Sequence, residues 1–435
     1  MSTRRRFLQG AATTVATAAL PSRALGSAGF DPHSWPSVRA QFALDPRATN
    51  FATFLLAPHS KVVRDSIEHH QRLLDRDAKR YLDVQEQSAE RRVRAAAAAY
   101  LHVEPGEIAL TDSTTMGLAL LYGGLLLRPG QEVLTTVHDF YSTHESLLLR
   151  ASRTGAEVRK IRLYRDARTM STDEVVSAVR RSVSPQTRAL AITWVHSSTG
   201  VKLPVKAIAD ALRSVNSSRP PAERVLLCVD GVHGFGVEAA TPAELDCDFL
   251  VSGCHKWLFG PRGTGLIWGR AQAWASVTPT IPSFDTRAIL AWIQGQPPQP
   301  AGIVGLPRAL AVTPGGFHSF EHRWALKEAF DFRRQIGAAR TATRTHQLTA
   351  RLKLGLGEIK GVQLVTPDSP AHSAGLVCFS VANRDPTEFV DALWRKSRVV
   401  ASVTPYATRY VRLGPSILNS TDDVDLALRA IRGLA

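Results

Sequence analysis

Between residues 107 and 270 short apolar runs alternate with stretches of helical period. The runs at 107–110, 132–136, 156–162, 188–195, 225–229 and 249–251 are bounded by turn residues, which predicts strands. A further run, 266–268, follows a glycine-rich loop. Between them, residues 116–127, 172–181 and the segment opened by Pro204 carry helix patterns. Strands alternating with helices predict an α/β domain with a largely parallel sheet. Ahead of it, Pro58 opens a helix with Val63, Ile67, His70 and Leu74 on one face, and residues 86–100 form a second. Residues 214–223 are polar with two prolines and predict an exposed loop. Residues 279–316, rich in Pro, Gly and Gln, predict a long irregular connection. A long helix over 318–340 continues after a break toward 359. Strands at 362–366, 374–381 and 410–413 and helices at 386–396 and 422–432 complete a smaller α+β domain.

Composition adds size and exclusions. The chain has 435 residues, of which 44% are hydrophobic, so it buries a sizeable core. Its length fits a large domain over 50–305 and a small one over 306–435, preceded by an arm over 27–49. The net charge is +15, but the basic residues are scattered and no nucleic-acid motif accompanies them. The surplus reads as solvated faces or as attraction to anionic partners, and no nucleic-acid partner is expected. Cys228, Cys247, Cys254 and Cys378 lack metal or C-x-x-C spacing, so they read as core residues and no metal site is expected.

Residues 2–9, S-T-R-R-R-F-L-Q, precede an uncharged apolar stretch over 10–20 and a small-residue segment ending near Gly26. This resembles a twin-arginine export signal over residues 1–26. It implies passage through the twin-arginine machinery of a bacterium and a periplasmic or secreted location. No other long apolar run exists, so no membrane span is expected after cleavage.

Three segments carry chemistry. In D-F-L-V-S-G-C-H-K-W-L-F-G-P-R-G-T-G, Lys256 follows an apolar run and precedes a glycine loop. Lysine is poor material for the end of a buried strand unless its amine has a task, and an amine held there sheds its charge and becomes nucleophilic. It reads as a Schiff-base lysine for pyridoxal 5'-phosphate (PLP), the alternative being a surface lysine near a turn. In T-D-S-T-T, residues 111–115, hydroxyls precede a helix N-terminus, which reads as an ordinary cap or as a phosphate site. In D-G-V-H, Asp230 closes a buried strand and needs a cationic partner, such as the ring nitrogen of PLP.

Together these segments resemble the class V aminotransferase family of fold-type I PLP-dependent enzymes, in its isopenicillin N epimerase-like branch. The runs from His255 to Gly265 and from Tyr410 to Ser420 are the specific parts. The resemblance implies a mostly parallel, seven-stranded sheet in the large domain, a smaller α+β C-terminal domain, and a homodimer. It implies that Lys256 holds PLP covalently and then moves the Cα proton, and that Asp230 pairs with the pyridinium nitrogen. His233 is implied near the ring or its phenolic oxygen. Thr114 and Thr115 are implied to bind the phosphate, with His255 beside them. Phe140 stands where many relatives stack a histidine or tyrosine on the ring. Ser197 stands where relatives often place an asparagine. Gly253 replaces a hydroxyl or amide residue and removes one phosphate contact. Arg412 matches the arginine that grips the substrate α-carboxylate, and Gly315-Gly316 is implied to reach a neighbouring subunit's phosphate.

The implied substrate is an amino acid or an amino-acid-bearing peptide or metabolite. Aminotransfer and epimerisation both begin with loss of the α-proton and differ in where a proton returns. Epimerisation needs a second acid, and Tyr141, His196, His318 and Tyr406 are the candidates. Cysteine desulfuration needs a cysteine in the loop before the carboxylate-binding arginine, and residues 401–410 contain none. A carbon–sulfur lyase of the same fold and an exported, non-catalytic binding protein on this scaffold are the alternative readings.

Overall fold

The computed structural model describes residues 29–296 and 305–435; the expected export signal lies outside the described residues. The main sheet contains β1 (Ile108–Thr111), β2 (Glu132–Thr136), β3 (Glu157–Ile161), β4 (Thr187–Thr193), β5 (Leu226–Asp230), β6 (Phe249–Gly253) and β7 (Gly265–Gly269). Their order in space is β1-β7-β6-β5-β4-β2-β3. Only β7 runs against its neighbours, β1 and β6. The other neighbours pair in parallel, so the mostly parallel seven-stranded sheet is found as expected. Every strand but β3 is buried along its whole length, because helices cover both faces. Strand β3, E-V-R-K-I, closes one edge with exposed charged residues, which discourages a further strand from adding.

Side chains alternate between two apolar layers. Leu227 and Val229 of β5 face one layer, and Leu226 and Cys228 face the other. The first layer receives α1 (Lys61–Leu101) through Val93 and Ala97. The second receives α2 (Thr114–Gly124) through Leu118 and Leu121, and α3 (Tyr141–Thr154) through Leu147. Helices α4 (Thr172–Ser182) and α5 (Val205–Asn216) join the first layer through Val179 and Ile208. Each fully buried leucine, isoleucine or valine stabilises by roughly 1.5–3 kcal/mol.

Three sequence expectations change in detail. Helix α1 is two helices joined across a kink at Asp77, whose φ of −161° is not helical, so the two expected helices meet there without a loop between them. The irregular stretch over 279–316 contains α6 (Thr286–Ile293), capped by the Asp285 side chain on Arg287 N, and a short helix at Arg308–Val312. Its overall Pro, Gly and Gln content hides the apolar run A-I-L-A-W-I. The long helix after residue 318 is α7 (Phe320–Ile336) and α8 (Ala338–Gly357), separated by Gly337 at φ 89°.

A second sheet holds β8 (Val362–Leu364), β9 (Val377–Val381), β10 (Ser402–Val403) and β11 (Val411–Leu413), in the order β10-β11-β9-β8 and antiparallel throughout. Helix α8 packs on it with α9 (Pro386–Ser397) and α10 (Thr421–Arg432), through Leu352, Phe389 and Val424. Residues Thr49–Asn50 pair in parallel with Val399–Val400, so the N-terminal segment is anchored beside this sheet. No helix among the described residues is long and apolar enough to cross a membrane.

The turn after β5 passes close to the Trp194 indole. A Cβ at Gly234 sits 2.2 Å from that ring, so Gly234→Ala forces either the turn or the indole to move. We expect this variant to lose about 1–3 kcal/mol of stability. Urea unfolding should show a lowered midpoint with an unchanged slope.

Candidate active site

All the parallel strands end along one edge of the main sheet, the position where such sheets bind ligands. Lys256 lies three residues beyond the end of β6, and Asp230 is the last residue of the neighbouring β5. His196 and Ser197 follow β4, and Phe140 follows β2. Asp139 ties two of these ends together. Its carboxylate accepts from Thr193 N (2.7 Å), Thr136 N (2.8 Å) and Thr135 Oγ1 (2.9 Å), so Phe140 and Ser197 leave the sheet in fixed directions.

Asp230 is 2% exposed, and its Oδ1 accepts one bond, from Val232 N at 3.0 Å. Oδ2 has no protein donor among the described residues. Burial pushes this carboxyl up to about 7, against the pull of the Val232 amide and of Lys256. Burial also brings the Lys256 amine down to about 8; the Asp230 charge opposes that shift and Arg412 adds to it. Each group is therefore held closer to its neutral form than an exposed carboxylate or ammonium would be. An orphaned carboxylate oxygen suits a cationic ring nitrogen, and a partly deprotonated amine suits carbonyl chemistry.

The phosphate end is equally specific. Ser113 caps α2 by accepting from Met116 N at 3.1 Å, which leaves the first-turn amides of Thr114 and Thr115 facing out of the helix end. Thr114 Oγ1 accepts from Gly253 N at 2.7 Å and so joins this turn to the lysine loop. The Thr115 side chain is exposed at the same end. A Cβ at Gly253 stands 2.8 Å from His255 Cε1 and 3.1 Å from Thr114 Oγ1. The imidazole of His255 thus fills the space of the side chain that Gly253 lacks.

His233 is buried, and its Nδ1 accepts from Trp257 Nε1 at 3.2 Å, which assigns the ring proton to Nε2 when the ring is neutral. Burial, with Lys256 and Arg412 nearby, holds it well below the usual histidine range. Arg412 is buried in β11. Its Nε donates to Ser402 Oγ (3.1 Å) and its Nη1 to Ser197 O (2.8 Å), while its guanidinium carbon lies 4.7 Å from the Phe54 ring centre. Nη2 has no protein partner among the described residues and is available to a carboxylate. Ser197 Oγ lies 2.7 Å from Tyr406 Oη, and Tyr406 meets Phe140 edge-on at 5.8 Å between ring centres.

The structure therefore gathers Lys256, Asp230, His233, His255, Thr114, Thr115, Phe140, Ser197 and Arg412 at one edge. Gly315 and Gly316 line a different cavity within the chain, of about 420 Å³, with Arg94 and His318. Sequence reasoning missed Phe54, Trp257 and Ser402. Trp257 had a signal, its place directly after the lysine. Phe54 had none, since it is 358 residues from the arginine it supports.

This donor set fits PLP: Lys256 for the carbonyl carbon, Asp230 for the ring nitrogen, the α2 terminus with Thr114, Thr115 and His255 for the phosphate, and Phe140 for a ring face. Residues 61–403 match the aminotransferase class-V family, and the chain belongs to it; its cofactor is PLP. Isopenicillin N epimerase of Streptomyces clavuligerus is 24% identical over 92% of this chain and 98% of its own length. A cysteine desulfurase of Pectobacterium carotovorum is 26% identical over 53% of this chain and 57% of its own. Among solved structures, the cystine C-S lyase C-DES, carrying glycine covalently linked to its PLP, superposes with a TM-score of 0.79 at 19% identity, over 91% of this chain and 98% of that one.

The lowered Lys256 amine sets a pH dependence. The rate at which the apoprotein takes up PLP, followed by absorbance, should climb as pH rises through about 8, because only the deprotonated amine attacks. Asp230→Asn removes the charge that holds the proton on Lys256, so the same profile should move to lower pH. A profile centred near the ordinary lysine range would contradict the described burial.

Proposed function

We propose that this chain epimerises the α-carbon of an amino acid, or of a peptide or metabolite bearing an amino-acid headgroup. Bound PLP supplies an electron sink for the charge left on the α-carbon. Arg412 takes the α-carboxylate through its free Nη2 edge, and Phe54 and Ser402 keep the guanidinium in place. Lys256 is the base for the α-proton, since its amine is held well below the ordinary lysine range and has no hydrogen-bond partner among the described residues. Asp230 holds positive charge at the far end of the ring.

One observation favours this over desulfuration: no thiol is exposed. Cys228, Cys247, Cys254 and Cys378 are all fully buried, and burial pushes each thiol up, away from the reactive thiolate. The loop over 401–410 brings the Tyr406 hydroxyl to Ser197 instead. The extent of the match to isopenicillin N epimerase, nearly end to end, supports the same choice. Aminotransfer is the second reading, because it uses the same base and the same carboxylate grip. Export through the twin-arginine route and pairing as a homodimer belong to this proposal. They are tested by sequencing the mature N-terminus from a periplasmic fraction and by the mass of the native particle.

Two experiments decide. The purified protein should be yellow and Lys256→Ala colourless. Incubated in deuterium oxide with L- and D-amino acids in turn, the enzyme should place deuterium at Cα and invert the centre while the amine is retained; accumulation of a keto acid would instead establish aminotransfer. Arg412→Lys, which lacks the planar fork, should weaken amino-acid binding by about 1.5–3 kcal/mol, roughly ten- to a hundredfold, in a spectral titration.

A further inference from the structure

Inversion at carbon requires a proton to arrive on the side opposite the one it left. Of the four candidate acids in the sequence, three are placed wrongly. Tyr141 is 68% exposed on the first turn of α3. His196 is fully buried, with Nδ1 bonded to Tyr164 Oη at 2.8 Å and Nε2 closed off from solvent without a partner. His318 lines the separate cavity with Arg94 and Gly316. Tyr406 is held at the strand ends by Ser197 and Phe140, and the backbone of Ser197 is held in turn by Arg412.

The order of strands supplies the sidedness. Along the sheet edge Lys256 follows β6, Asp230 ends β5, Ser197 follows β4 and Phe140 follows β2, in that spatial sequence. Lys256 and the Tyr406 hydroxyl, which is held at Ser197 after β4 and against Phe140 after β2, thus lie on opposite sides of Asp230 along this edge, and a ring held by Asp230 would lie between them.

We propose that Tyr406 is the second proton-transfer group, serving the face of the α-carbon opposite Lys256; this rests on the epimerase reading. In one direction Lys256 Nζ takes the proton as the Cα–H bond breaks, and Tyr406 Oη gives one as a new Cα–H bond forms on the other side. No electrons leave the substrate. The extra proton on Lys256 is lost to solvent and the deficit on Tyr406 is made up from solvent, so the pair is restored for the next turnover. The opposite enantiomer uses the same pair with roles exchanged. Burial, with the Asp139 and Asp230 carboxylates, keeps the resting phenol protonated despite Arg412, which is the form a donor must have.

The test is Tyr406→Phe holoenzyme, which keeps the ring against Phe140 and loses only the hydroxyl. With the amino acid that the wild type inverts, in deuterium oxide, deuterium should still enter with retention of configuration, while inversion falls by about 10²–10⁴-fold. The absorbance change on binding 2-aminoisobutyrate, which has no α-hydrogen, should keep its midpoint within about threefold, since proton transfer is not involved. Inversion at the wild-type rate, or a 2-aminoisobutyrate midpoint shifted more than about tenfold, overturns the role, the second result making Tyr406 a binding residue. If Tyr406→Phe does not fold, Ser197→Ala, which releases the hydroxyl without removing it, should also lower inversion more than exchange; equal loss of both overturns the proposal. A wild-type enzyme that exchanges no α-hydrogen at all defeats the epimerase reading itself, a result distinct from any of these.

Discussion

Asp230 is buried at the end of one strand and Lys256 half-buried just past the end of the next, and among the described residues neither has the hydrogen bonds that a charge so enclosed needs. A carboxylate in that position ordinarily collects several donors or an opposite charge. Here, among the described residues, one backbone amide is the whole supply, and the amine has none. Each group answers by moving toward neutrality. The fold sustains this unfavourable pair because the sheet around it is rigid and fully covered, and because Asp139, which does have three donors, locks the adjacent strand ends. The unsatisfied pair is what makes a cationic heterocycle with a reactive carbonyl a stabilising guest rather than an optional one.

The remaining contacts distribute roles along the same edge. The hydroxyl-rich turn before α2 and the lysine loop are joined through Thr114 and Gly253, so the phosphate end and the covalent end cannot drift apart. Arg412 belongs to the other sheet, and it reaches this edge through a backbone carbonyl, that of Ser197, rather than through a carboxylate. A guanidinium held by neutral acceptors and an aromatic face keeps its charge for an incoming anion; a salt-bridged one would not.

Much of this was readable from the chain. Lys256, Asp230 and the turn at 111–115 stand out because each puts a polar group where an apolar strand ends, and that conflict is local in sequence. Strand and helix positions largely followed from periodicity; they shifted where composition averaged over a mixed stretch, as around α6, and where a kink or break fell, at Asp77 and Gly337. The Gly253 departure was visible, but its reason was not: the His255 ring occupies the space, which is a matter of rotamer rather than of residue type. Phe54 and the choice of Tyr406 among four acids were beyond sequence reading, since each depends on contacts between residues hundreds of positions apart, and Ser402 was beyond it because its bond depends on the register of β10 against β11.

The support beneath Arg412 has a consequence for how the protein comes into being. Phe54 lies under the guanidinium, Gly414 N donates to Phe51 O at 2.7 Å, and Thr49–Asn50 pairs with Val399–Val400. One of the earliest described segments of the chain is thus stitched to one of the last. Such contacts of extreme sequence separation form late, after the costs of closing the intervening loop have been met. During synthesis the lysine, the aspartate and the hydroxyl turn can be in place while residue 412 is still inside the ribosome. On the proposed function, substrate recognition is therefore acquired after the lysine, the aspartate and the hydroxyl turn are in place, and a half-folded molecule can carry those groups before Arg412 has joined them.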